Sequence, residues 1–197
     1  MIPKNWHDIK VIELSEIMQA KNNMNDFNHI LSLYEDTEKL SMEEFLEAMI
    51  ELKDVLSQPF EDVPFEEFEL NNVKYTIKKI EEFKVDEYID FDTLYKDNIN
   101  NLPLLLGIIY KSSEDTGDYQ SDTKRKATEL LEMPADTARS ALNFFLHSFI
   151  TYFNSILDCL EQTSPNLKSQ VTKIRQMVGM QLSSIEQDGT SQKEKNS

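Results

Sequence analysis

The stretch Pro134 to Gln162 reads PADTARSALNFFLHSFITYFNSILDCLEQ and is rich in large apolar side chains. These side chains recur at steps of three or four residues, which is the spacing of one helix face. They are Ala138, Leu142, Phe145, Phe149, Phe153, Ile156 and Leu160, with a second row of Ala141, Leu146, Ile150 and Leu157. The pattern predicts one long central helix over about 134–162, apolar over most of its circumference and therefore covered, either by its own chain or by a partner.

The composition is that of a folded domain of ordinary size. The chain has 197 residues, of which 40% are hydrophobic and 10% aromatic, enough to build a core. Only four glycines occur, which argues against glycine-rich phosphate loops and against a turn-rich β-barrel. The start of the chain, MIPKNWHDIK, lacks the apolar run of a signal peptide. A polar stripe crosses the best membrane-span candidate, 141–160, so a buried helix is favoured there.

The charge is strongly acidic and unevenly distributed. The net charge is −16, and the segment 35–92 holds nineteen acids against six lysines, a local net of −13. Such a chain repels nucleic-acid backbones and anionic lipids, so neither a nucleic acid nor a membrane is expected as a partner. The basic clusters at 124–126 and 168–175 are interpreted as ordinary surface charge.

The pattern along the chain predicts a mainly α fold with one small β-hairpin. Helices are expected over 12–57, where Ser41 and Glu44 form a capping box that opens a helix with one wide apolar face. The periodicity then changes to alternation over about 68–77, around the turn residues Asn71-Asn72, which predicts the hairpin. Further helices follow over 80–186, among them a nearly apolar one at 101–111.

The domain prediction is a single helical domain over 1–186, with about seven helices in all. The tail, 187–197, is polar and is expected to be disordered.

No residue pattern announces chemistry. The acids Asp86, Glu87, Asp90 and Asp92 could bind a hard cation, but no glycine supplies the sharp turn of a calcium loop, and a solvated helix N-terminus explains them better. Cys159, the one cysteine, is expected to be a small buried core residue. We therefore predict no catalytic residue, no cofactor and no metal site, and the chain is not expected to be an enzyme.

The best candidate for partner binding is a narrow apolar stripe near the C-terminus. It comprises Leu167, Val171, Ile174, Val178, Leu182 and Ile185. Their spacing is closer to a coiled-coil seam than to a buried core helix. Pro165 makes a tight helical hairpin with the central helix equally plausible, so both interpretations stay open.

Three parts of the sequence, taken in order, resemble a known kind of protein. They are IPKNWHDIKVIELSEI (2–17), ELNNVKYTIKKIEEFKVDEYIDFDTL (69–94), and NLPLLLGIIY (101–110) with the later Phe144-Phe145 pair. The chain resembles small acidic virion-assembly proteins of tailed bacteriophages and is similar to tail assembly chaperones. The resemblance covers about two-thirds of the chain and carries no catalytic signature.

The resemblance implies a non-catalytic morphogenesis factor that binds another virion protein through apolar helix faces. The implied partner is a tape-measure or other tail protein, with self-association as a second arrangement, and the implied location is the host cytoplasm during assembly. One alternative is a structural component of the head, neck or tail that stays in the virion. Another is an acidic nucleic-acid mimic that inhibits a host protein, since the acids of 35–92 permit that role.

Overall fold

A computed structural model describes residues 1–20, 24–60, 63–96, 100–163, 170 and 172–173. Short 3₁₀ turns lie at Trp6–Asp8, Thr37–Lys39, Ile80–Glu82 and Leu130–Glu132. Within the described residues the α-helices are α1 (Val11–Ala20), α2 (Met24–Ser32), α3 (Met42–Ser57), α4 (Val85–Tyr95), α5 (Leu102–Ile109), α6 (Tyr119–Glu129) and α7 (Ala135–Thr163). The strands there are β1 (Glu67–Leu70), β2 (Val73–Ile77) and β3 (Tyr110–Ser112). The predicted mainly α class and long helix are confirmed.

The chain divides into two compact units, Met1–Leu146 and His147–Ser197, so the division falls within α7. The first unit contains α1 to α6, the sheet and the first turns of α7. A single domain over 1–186 stays a prediction. The expected helix at 166–186 lies almost wholly outside the described residues, as does the whole tail, 187–197.

The sheet contains the predicted hairpin and one further strand. Asn71 and Asn72 have φ of 53° and 64°, so both turn residues are left-handed, as a two-residue hairpin turn requires. β3 then pairs antiparallel with the other edge of β2, giving the order β1-β2-β3. The helix predicted over 101–111 therefore ends at Ile109, because Tyr110 turns to extended backbone and joins the sheet.

The closest pair of helices is α5 with α6. α5 is almost entirely apolar and buried, whereas α6, YQSDTKRKATE, is strongly polar. A Cβ at Gly107 would lie only 2.5 Å from the carbonyl oxygen of Thr123 and 3.2 Å from the backbone nitrogen of Ala127. Glycine at 107 is therefore what allows the two backbones to approach so closely.

The N-terminal segment contacts Gln58, Phe60 and the start of α7. Trp6 is buried, donates its indole N–H to the carbonyl of Gln58 at 3.0 Å and stacks on Phe60, with centroids 4.0 Å apart. The Arg139 guanidinium lies 4.1 Å from the centre of the same Phe60 ring. The backbone N–H of Ala135 donates to the carbonyl of Ile9 at 2.7 Å. These contacts fix the beginning of the long helix.

Burial changes along α7. In its first three turns, Ala135, Ala138, Ala141, Leu142 and Phe145 are all buried, as predicted. Beyond Leu146 most described side chains are half-buried or exposed, so the described residues do not cover this part of the helix, and its cover by a partner stays a prediction. Cys159 is exposed, and the prediction that it is a buried core residue is wrong. It stands two residues, about 200°, around the helix from Leu157, which is the buried residue of that turn.

Candidate protein-binding surface

Lys126, the most deeply buried charged residue among those described, holds the loop between β3 and α6. Lys126 is only 2% exposed, and its ammonium donates to the carbonyl of Tyr110 at 2.7 Å and to Asp115 at 3.2 Å. Arg125 pairs with Asp115 at 3.0 Å and with Glu129 at 2.7 Å. The prediction that the cluster at 124–126 is ordinary surface charge is wrong for Lys126, which is buried.

Asp122 closes the same loop from the other side. Its carboxylate accepts hydrogen bonds from the backbone N–H groups of Thr116 at 3.0 Å and of Gly117 at 2.9 Å, and from the Thr116 hydroxyl at 3.0 Å. Burial raises the pKa of this carboxyl, but the hydrogen bonds from Thr116 and Gly117 outweigh it and hold the pKa below its usual range. Asp122 therefore holds Thr116 and Gly117 of the loop against the start of α6, and we call this set of hydrogen bonds the loop clasp.

The acidic cluster at 86–92 is also used within the fold. Glu87 forms a buried ion pair with Lys78, whose ammonium lies 3.0 Å from the carboxylate. Asp90 accepts a hydrogen bond from the Tyr119 hydroxyl at 3.1 Å, and Asp86 accepts one from the backbone N–H of Glu87 at 3.0 Å. In the part of the chain that the structure describes, no three acidic, histidine or cysteine side chains are grouped so that they could hold a metal ion.

The six residues predicted to bind a partner, Leu167, Val171, Ile174, Val178, Leu182 and Ile185, lie outside the described residues. Among the described helices, none is long and apolar enough to cross a membrane.

Helix α3 presents an exposed apolar surface that extends over more than two of its turns. It begins as predicted: the Ser41 hydroxyl accepts from the backbone N–H of Glu44 at 3.3 Å, and the Glu44 carboxylate accepts from the backbone N–H of Ser41 at 2.8 Å. The hydrogen bonds with Ser41 hold the pKa of Glu44 below its usual range. The core-facing side of the helix is formed by Ala48, Leu52, Val55 and Leu56, all buried.

Beside this buried face, Met42, Leu46 and Ile50 follow one another at four-residue steps. They are 73%, 54% and 61% exposed. We call them the apolar row. Half-buried Phe45 and Met49 connect the apolar row to the core, so the apolar surface of α3 is wider than the core covers.

A second row runs parallel to the apolar row and consists of Glu43, Glu47 and Glu51. Each of these acids follows a member of the apolar row by one residue, so this acidic row is displaced by about 100° around the helix. Asp54 extends the acidic row by one turn. All four carboxylates are exposed, and none has an ion-pair or hydrogen-bond partner among residues 1–20, 24–60, 63–96 and 100–163. Within the described residues, the acidic row therefore has no cation as a partner.

Helix α4 carries a smaller surface of the same kind. Val85 and Ile89 are 77% and 56% exposed, and Asp86 and Asp90 follow them by one residue. This surface is one turn shorter than that of α3, and both acids already accept hydrogen bonds within the fold. Ile89 is therefore a suitable control position for substitutions in the apolar row of α3.

The comparisons with known proteins add no relative. No family model, no curated protein and no solved structure matches this chain.

The apolar row of α3 was missed because sequence spacing could not separate it from the core. The spacing of Phe45, Leu46, Met49, Ile50 and Leu52 predicts one wide apolar face and does not indicate which part of it the core covers. The width itself was the signal, since a helix packed on one side buries a narrower stripe.

Proposed function

We propose that this chain is a non-catalytic bacteriophage morphogenesis factor, similar to a tail assembly chaperone, that binds another virion protein through apolar helix faces. The observation that carries the proposal is the exposed apolar row of α3 beside its acidic row, which has no partner among the described residues. A contiguous exposed apolar surface is costly in water and is typical of interaction sites. The proposed partner is a tape-measure or other tail protein, met in the host cytoplasm.

The bacteriophage context rests on the resemblance of the stretches 2–17, 69–94, 101–110 and 144–145 to small acidic virion-assembly proteins. The net charge of −16 suits such a role, because charge repulsion opposes self-association of a protein with exposed apolar side chains.

A non-catalytic role is supported by what the buried charges do. Glu87 pairs with Lys78, Asp122 clasps a loop, and Lys126 binds a backbone carbonyl and Asp115. Each of these buried ionisable groups already has partners that hold the fold together. The structural contacts of these groups account for their burial without any catalytic role.

The test is co-expression of the full chain with each virion-assembly protein of the same phage, followed by size-exclusion chromatography with light scattering. We expect a stable complex with a tail protein at physiological salt. No complex with any of them would overturn the proposal. Mass spectrometry of purified virions then separates the two assembly roles, because a morphogenesis factor leaves the particle and a structural component stays.

The acidic row also gives the nucleic-acid mimic one observation in its favour. Its carboxylates follow one another at about 6 Å along the helix axis, four residues at 1.5 Å each, and are unpaired. A mimic would bind a basic host protein in a complex that dissociates at a few hundred millimolar salt, because screened surface charges would carry the affinity. The apolar row predicts instead that binding persists at that salt.

A further inference from the structure

The surface of α3 has two parallel rows of different chemistry, and together they specify a partner. An apolar row alone would accept any apolar surface. With unpaired carboxylates along one side only, the surface favours a partner that carries apolar side chains with cations on the matching side.

We infer that α3 docks an amphipathic helix whose apolar stripe is flanked on one edge by lysine or arginine. This inference rests on the proposed function and names the recognised element of the partner. The partner's apolar stripe packs against Met42, Leu46 and Ile50, and its cations reach Glu43, Glu47 and Glu51. The steps of three and four residues along a partner helix match the four-residue steps of both rows on α3.

Charge argues against a second copy as the occupant. If two α3 helices packed antiparallel on their apolar rows, the two acidic rows would face each other. If they packed parallel, each acidic row would lie against Phe45 and Met49 of the other copy and lose water without gaining a cation. A basic helix avoids both costs. Lys53 lies at the C-terminal end of the apolar row, so the partner's cations are expected toward the N-terminal and middle turns of α3.

The test uses two synthetic helical peptides with the same leucine stripe, one flanked by lysines and the other by glutamates. Binding to the full chain is followed by fluorescence anisotropy at physiological salt. We expect the lysine peptide to bind and the glutamate peptide not to bind. Leu46→Gln should lower the affinity about tenfold, equivalent to about 1.4 kcal/mol, whereas Ile89→Gln on α4 should leave it unchanged. All these positions are exposed, and circular dichroism checks that each variant folds.

Charge reversal gives the sharpest outcome. The double variant Glu47→Lys with Glu51→Lys should reverse the preference and bind the glutamate peptide. If the preference stays the same, if Ile89→Gln weakens binding as much as Leu46→Gln does, or if the lysine peptide does not bind, the inference is wrong. Light scattering tests the other occupant: a dimer of the unmodified chain that Leu46→Gln dissociates would assign the surface to a second copy and overturn the inference.

Failure of this surface and failure of the proposed function are distinguishable. If a tail protein binds the chain and the α3 variants bind it equally well, the function stands and the surface is wrong. If the lysine peptide binds in the manner described but no virion protein does, the surface stands and the phage role is wrong.

Discussion

Replacing Gly107 by alanine should destabilise the first unit, although alanine is the better helix former. The added Cβ would lie 2.5 Å from the Thr123 carbonyl oxygen, whereas ordinary contact begins at 3.4 Å. The atoms it meets belong to the backbone of α6, so no side-chain rotation relieves the overlap. Overpacking of this kind costs about 1–3 kcal/mol, and we expect its upper end. The higher helix propensity of alanine relative to glycine offsets about 1 kcal/mol of this cost.

The net loss is about 1–2 kcal/mol in the free energy of unfolding, or a fall in Tm of about 2–8 °C. Urea unfolding of the full chain, followed by circular dichroism, measures it as a lower midpoint at unchanged slope. The control is Thr123→Ala in both backgrounds: it should not rescue Gly107→Ala, because the overlap is with the backbone carbonyl. An unchanged or higher midpoint for Gly107→Ala would refute the close approach of α5 and α6.

Three further changes test the buried polar groups. The hydroxyl of Thr123 is buried without a hydrogen-bond partner in the described residues. Because Thr123→Val removes this unpaired polar group, it should raise the free energy of unfolding by about 1 kcal/mol. A lower free energy of unfolding in urea would contradict this. Glu87→Gln should lower the free energy of unfolding by about 3 kcal/mol because it leaves the Lys78 ammonium buried and unpaired. The double variant Lys78→Met with Glu87→Leu should lower it by less, since no charge is left buried. Equal decreases for the single and the double variant would argue against the ion pair. Asp122→Asn should cost about 2 kcal/mol at pH 7. The Asp122 pKa is lower in the folded state, so its contribution is present above about pH 4 and fades as the pH falls through the lowered pKa. The difference in the free energy of unfolding between the unmodified chain and Asp122→Asn, measured by urea unfolding, should therefore become smaller in acid. A difference that does not change with pH would refute this role of Asp122.

Local signals in the sequence predicted local structure well. The capping box at Ser41 and Glu44 and the hairpin turn at Asn71-Asn72 involve neighbouring residues, and both are present. The helical spacing also predicted the long helix over about 134–162, and the structure has it from Ala135 to Thr163.

Features that depend on distant residues were not predictable in the same way. Tyr110 joins the sheet because β2 offers a free edge, and the spacing of the apolar residues before Tyr110 does not show where the helix gives way to a strand. Lys126 is buried because the Tyr110 carbonyl and Asp115 satisfy its ammonium, yet lysine is the residue type expected outside.

The candidate surface shows the same limit. Burial depends on which neighbours cover a helix face. Leu46 and Leu52 are both leucines of α3, yet Leu46 is exposed and Leu52 is fully buried.

The most direct test of the central claim is photo-crosslinking in phage-infected cells. A photoreactive amino acid replaces Leu46 in the full chain, and a second version carries it at Ile89. We expect the photoreactive residue at position 46 to form adducts with a phage assembly protein, which mass spectrometry should map to a helix with an apolar stripe and a basic edge. We expect few or no adducts from position 89. Adducts from 46 only to a second copy of the chain, or equal adducts from both positions, would contradict it.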